Sequence, residues 1–220
     1  MTAANGPLFD TLFRSTAETA PRASTLASAA PVRVTGTRTR AGNAMDRTRT
    51  ALLVGAARAV STTGTRITMA QVAICAGVAK ATLYNHFRTR QAVLDALVLD
   101  QVQRIVLAQA GKPLERALVE AAVDISQNPV VRGLAAYEPA ALAAVGRIDD
   151  SAPGWQHARA AVDEALAASS RAGVDTVLRW FASFLLSPAA SDVVAADAAI
   201  LLAGLPVLDT VPATVDPLSA

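Results

Sequence analysis

Apolar residues recur at helical spacing along most of the chain, and the interruptions between the runs mark where one helix ends and the next begins. After Met45, the residues Leu53, Ala56, Ala57 and Val60 share one face, and the run stops at Thr62-Thr63-Gly64, which predicts a first helix. Thr68-Met69-Ala70-Gln71 has the form of a capping box, in which the threonine hydroxyl accepts a backbone N–H and the glutamine bonds back, so a second helix starts at Thr68. It runs to Ala76-Gly77-Val78, where glycine takes the left-handed conformation at little cost. A short third helix is predicted from Lys80 to near Phe87. Thr89 caps a fourth, on which Val93, Leu94, Leu97, Val98 and Ile105 keep helical spacing.

Beyond Gly111 the pattern stays helical, with breaks at Lys112-Pro113, Asn128-Pro129, Asp149 to Gly154, Ala172-Gly173 and Ser187-Pro188. The last two helices are the most apolar. Leu178, Phe181 and Leu185 share one face, and Val194, Ala198, Leu201 and Leu205 share another. The chain therefore divides into an irregular basic extension over 1–43, expected to be disordered, a four-helix unit over 44–104, a larger helical unit over 105–208 and a flexible tail over 209–220. Loose chain is expected from Pro206 onward, because Pro212 and Pro217 follow it. The fold class is all-α.

Composition supports this reading. Of the 115 apolar residues 50 are alanine, the best intrinsic helix former, which leaves enough larger side chains for the core of one or two domains. A single cysteine, Cys75, excludes an internal disulfide framework and leaves no cysteine cluster for a metal. No stretch approaches the roughly 20 apolar residues that cross a bilayer, because Asp192 and Asp197 interrupt the longest candidate. Asp10, Arg14 and Glu18 interrupt any secretory signal, so a cytoplasmic protein is expected.

Charge changes the picture. The net +2 conceals +3 over residues 1–43, +5 over 44–104 and −6 over 105–220. A basic half joined to an acidic half suggests that one end meets a polyanion and the other does something else.

The helix, glycine turn and short helix over Thr68 to Phe87 is the layout of a helix-turn-helix, whose second helix lies in the DNA major groove. The string Ile67-Thr68-Met69-Ala70-Gln71-Val72-Ala73-Ile74-Cys75-Ala76-Gly77-Val78-Ala79-Lys80-Ala81-Thr82-Leu83-Tyr84-Asn85-His86-Phe87, with Val93 to Leu97 following in register, resembles the DNA-binding domain of the tetracycline-repressor (TetR) family of bacterial regulators. The resemblance covers residues 44–104. It implies an all-helical homodimer whose larger C-terminal domain binds an effector and dimerises, bound to DNA at the nucleoid in a bacterial cytoplasm. It also implies a repressor released from a palindromic operator by a small molecule, with no enzyme activity, cofactor or metal.

Carried over by position, the resemblance implies that Lys80 and Ala81 meet base edges, a long donor suited to guanine and a methyl suited to thymine. Thr82, Tyr84 and His86 fall where the family touches phosphates or the sugar–phosphate wall, contacts that fix register rather than sequence. Thr68 and Arg90 open helices that approach phosphates. Leu83 and Phe87 point inward. Two departures stand out: Ala79 replaces the usual serine cap, and Arg90 the usual lysine. Ala70 offers only a methyl where some members read a base.

Cys75 reads as a packed side chain rather than a redox sensor. With only His86 and His157 as imidazoles, no nucleophile, base and acid pattern stands out, and catalysis is not expected. In the C-terminal domain Trp155, His157, Trp180, Phe181 and Phe184 are the side chains most able to line a largely apolar effector cavity, each of them equally a candidate for plain core. Residues 175–205 are expected to carry the dimer. For the N-terminal extension two readings stand: Met45 is the true start, or Arg33, Arg38 and Arg40 form a basic arm tracking DNA. The alternative function is an architectural or partner-binding DNA protein without an effector, which a filled, alanine-packed core would favour and a closed apolar pocket would not.

Overall fold

Each stop in the hydrophobic pattern becomes a turn in the computed structural model, which describes residues 37–208 with side chains from Ala44 onward. The expectations for residues 1–36 and 209–220, and for the side chains of Arg38 and Arg40, lie outside the described residues. Helix α1 spans Thr37–Thr63 and ends in a 3-10 turn, Gly64–Arg66. Then come α2 (Met69–Ala76), α3 (Lys80–His86) and α4 (Arg90–Gln109). The C-terminal part adds α5 (Leu114–Gln127), α6 (Pro129–Tyr137), α7 (Pro139–Val145), α8 (Pro153–Ala168), α9 (Val174–Leu186) and α10 (Ser191–Gly204). The described residues hold no strand, and none of their helices is long and apolar enough to cross a membrane.

Three local features differ from the sequence reading. Helix α1 begins already at Thr37 rather than after Met45, beyond the apolar stripe. Once a helix is nucleated, each added residue gains one hydrogen bond, and arginine and alanine extend it readily. A break at Glu138 splits what the pattern reads as one helix into α6 and α7, because Pro139 has no N–H to donate and fits the first position of a new helix. The chain from Pro206 to Leu208 is not loose. Ala172 N–H donates to Pro206 O (2.9 Å) and Leu208 N–H to Ser170 O (2.8 Å), and Arg171 Nη1 holds the carbonyls of Leu202 and Leu205 at the end of α10.

The packing runs without interruption from one half to the other. Leu52, Ala56, Val60, Ile67, Val72, Leu83, Phe87 and Val93 fill the space among α1–α4, and the same cluster continues through Leu134, Leu142, Trp155 and Leu178. Where α1 meets α6, Gly133 lies so close to Ser61 that a Cβ there would sit 2.6 Å from its Cα. Only glycine permits this approach. Smaller clusters seat α5 against α9 and α10, around Leu118 and Val177 and around Ala122, Phe184 and Val194.

Candidate functional site

The helix-turn-helix is built by three local devices. Thr68 and Gln71 form the full capping box, with Gln71 N–H donating to Thr68 Oγ1 (3.2 Å) and Thr68 N–H to Gln71 Oε1 (2.7 Å). Gly77 ends α2 at φ 67°, and its N–H reaches the carbonyls of Ala73 and Ile74. Leu83 and Phe87 are buried, which pins one face of α3 to the core and turns the other outward.

On that outward side Lys80, Ala81 and Tyr84 are exposed, with Lys80 Nζ 5.9 Å from the centre of the Tyr84 ring. Thr82 and His86 are half-buried at its edges. Thr68 stands exposed at the start of α2. Arg90 is the first residue of α4, just after Thr89, whose side chain accepts the Ala92 N–H at 3.1 Å. Behind the motif, the Arg49 guanidinium lies 4.7 Å over the Phe87 ring. Ala79, by contrast, supplies no side-chain bond to the start of α3, so the capping group missing from the sequence is not replaced.

The C-terminal part is hollow. A cavity of about 750 Å³ opens among α4–α9, with walls that include Val98, Leu134, Leu142, Trp155, Leu178 and Phe181. Trp155 Nε1 donates to Val145 O at 3.2 Å, so the indole's only polar atom is engaged. Of the other ring-bearing candidates, Phe181 also faces the cavity, whereas His157, Trp180 and Phe184 are not part of its wall. Trp180 and Phe184 stack edge to face with centres 4.9 Å apart and pack against α5 and α10. Helical spacing identifies a buried face but not which neighbour covers it. No group of three or more metal-ligating side chains comes together among the described residues.

The sequence reading passed over four polar residues of this region. Gln101 and Asn128 face the cavity from α4 and from the cap of α6, with Asn128 Nδ2 donating to Gln101 Oε1 at 3.0 Å. Lys112 stands at the rim and donates to Gln109 Oε1 (3.0 Å) and to Glu120. Those bonds to Lys112, then to Arg116, hold the Glu120 carboxyl below its ordinary pKa. A lone glutamine inside the apolar stripe of α4 is the one signal that could have marked the cavity.

The fourth residue is Glu138, at the end of α6. It accepts the Thr65 backbone N–H (3.0 Å), the Thr65 hydroxyl and Arg66 Nε (3.2 Å), tying the end of α6 to the turn that leads into α2. Burial pushes its pKa up, but the bonds from Thr65 and Arg66 together outweigh burial and hold it below the usual value.

Residues 52–97 match the family model for bacterial regulatory proteins of the tetR family, a stretch that starts inside α1, contains α2 and α3 whole and ends in α4. No curated protein matches the chain. Among solved structures, one similar chain is the TetR family repressor AlkX from Dietzia sp. strain DQ12-45-1b, implicated in biodegradation of n-alkanes. It is 22% identical, with 70% of this chain and 95% of that chain covered and a TM-score of 0.49. Residues 52–97 are thus similar to the DNA-binding domain of the tetR family of bacterial regulatory proteins, and the likeness by sequence is confined to that stretch.

Proposed function

We propose that the protein is a homodimeric repressor that binds a two-fold symmetric operator and is released from it by a small molecule held in the C-terminal cavity. The observation that carries this reading is the cavity itself, about 750 Å³ and lined mainly by apolar side chains. A protein that only shapes DNA or docks partners has no use for such a void, since unfilled space forfeits packing. The absence of a filled alanine core therefore counts against the architectural reading.

In this reading Lys80 and Ala81 meet base edges, Thr82, Tyr84 and His86 meet the sugar–phosphate wall, and Thr68 and Arg90 present helix starts to phosphates. The second copy would cover α10, where Val193, Ala196, Ile200 and Ala203 lie exposed at helical spacing. Ile200 is 73% exposed and Leu186, at the end of α9, is 60% exposed, a large apolar face for a monomer to leave in water.

Release needs a path from the cavity to the reading heads. Helix α6 supplies one: Val130, Val131 and Leu134 line the cavity, Gly133 rests on α1, and Glu138 holds Thr65 and Arg66. A ligand that favours a shifted α6 favours a different spacing of the two α3 helices, and the population leaves the operator without any chemistry.

The test is a genome-wide pull-down of DNA with the wild-type chain and with Lys80→Ala and Tyr84→Ala. Sharp peaks over a symmetric motif, lost in both variants, are the expected result. Diffuse binding that the variants leave unchanged would return the architectural reading to the front. Ile200→Glu should convert a dimer to a monomer in sedimentation, and a variant that stays dimeric would place the interface elsewhere.

A further inference from the structure

The shape of the cavity narrows the class of its ligand. Its wall on α4 runs from Leu97 to Gln109, and its wall on α8 from Gly154 to the cap residue Ser169. At about 1.5 Å per residue, these walls are roughly 18 and 22 Å long. Both start at the same end, because Val98 Cγ1 lies 3.4 Å from where a Cβ on Gly154 would stand. A void of about 750 Å³ drawn out over that length is narrow. Along α8 small residues at helical spacing, Gly154, Ala158, Ala161 and Ala165, form a smooth strip of the wall, flanked by Trp155, Val162 and Glu164.

Polar valence is unevenly distributed along this channel. At mid-length Gln101 is used on both sides, its Oε1 by Asn128 and its Nε2 by Asp100 (3.3 Å), and Asn128 Oδ1 accepts from Val130 and Val131. The Trp155 N–H at the deep end is likewise taken. At the rim Lys112 donates to Gln109 and Glu120, which uses two of its three ammonium protons and leaves one.

We infer that the ligand is a long, unbranched aliphatic molecule with one hydrogen-bond-accepting head, its chain lying along α4 and α8 and its head at Lys112. This rests on the reading of the cavity as an effector site. An extended alkyl chain with bonds of about 1.5 Å advances about 1.25 Å per carbon, so the channel takes about 14–18 carbons. A carboxylate and a hydroxyl share the required chemistry.

The experiment uses the full chain carrying Trp180→Phe, which leaves Trp155 as the only one of the two tryptophans. Its emission is titrated with saturated carboxylic acids and 1-alkanols of six to eighteen carbons, and release of operator DNA is followed in parallel. Burial of one methylene is worth about a fourfold gain in affinity, so the expected result is a fourfold rise per carbon that levels at about 16 carbons. Ala161→Phe, which places a ring part-way along α8, should bring that plateau down to about ten carbons. Lys112→Met should weaken head-bearing ligands about tenfold and leave n-alkanes unaffected. A flat length series, with compact ring compounds releasing DNA instead, overturns the linear ligand while sparing the effector reading. If neither shape alters Trp155 emission or DNA binding, both fail.

Discussion

The two halves of this chain solve opposite packing problems with the same material. Around the helix-turn-helix, α1–α4 converge on large buried side chains, Leu52, Ile67, Leu83 and Phe87, and the space between them is filled. In the C-terminal half, helices rich in alanine stand around a void of about 750 Å³. A filled core has one arrangement and resists displacement, whereas a lined void has room to change shape when something enters it. Under the function proposed above, reading DNA draws on the first property and sensing a molecule on the second. The contact between Gly133 and Ser61 and the bonds around Glu138 join them.

Substitutions that alter volume should separate the halves most clearly. Leu83→Ala is expected to cost about 2–5 kcal/mol of unfolding free energy, because a filled core cannot collapse onto the hole. Ala161→Leu, which adds bulk facing the void, should stay within about 1 kcal/mol of the wild type. Urea denaturation of both checks the contrast, and equal losses would break it. Next in size, Gly133→Ala drives a methyl into the Ser61 backbone and should cost about 1–3 kcal/mol, seen as a lower Tm. Ala79→Ser supplies the missing cap of α3 and should raise stability by about 1 kcal/mol, with tighter DNA binding.

The smallest effects concern pH, and they have opposite signs in the two regions. Glu138 is held below its ordinary pKa, so its contribution is present at neutral pH and is lost as pH falls through its folded value. Glu138→Gln should flatten the acid limb of the stability curve. Asp95, in the helix-turn-helix half, is pushed up by burial, against a smaller opposing effect of its hydrogen bond from Gln91. Its carboxyl favours the fold while protonated, and that advantage is lost as pH rises through its folded value. Asp95→Asn should therefore gain slightly in Tm at neutral pH, and a loss would show that the Gln91 bond outweighs burial.

How much could be read from the sequence follows from how far apart the partners lie. The capping box at Thr68, the glycine turn at Gly77 and the inward faces of Leu83 and Phe87 depend on residues within one or two turns, and all were legible. The bond from Thr65 to Glu138 spans 73 positions, and no local pattern announces it. The cavity is harder still, because alanine spacing on α8 looks the same whether the facing helix is close or held away. Trp180 and Phe184 were readable as buried aromatics, but the α5 and α10 neighbours that claim them were not. The early end of α6 was available in the dipeptide Glu138-Pro139, where a helix ordinarily stops.

The strap between residues 170–172 and 206–208 has a kinetic consequence. Its hydrogen bonds turn α9, α10 and the linker between them into a closed loop fastened at both ends by Ala172, Leu208 and the Arg171 side chain. A C-terminal helix without such a fastening would fray from its last turn. Here the amides of Ala172 and Leu208 should exchange with deuterium only when the loop opens as a unit, at the same rate as the amides inside α10. A surface clasp of two backbone bonds would then set the lifetime of the whole helical pair.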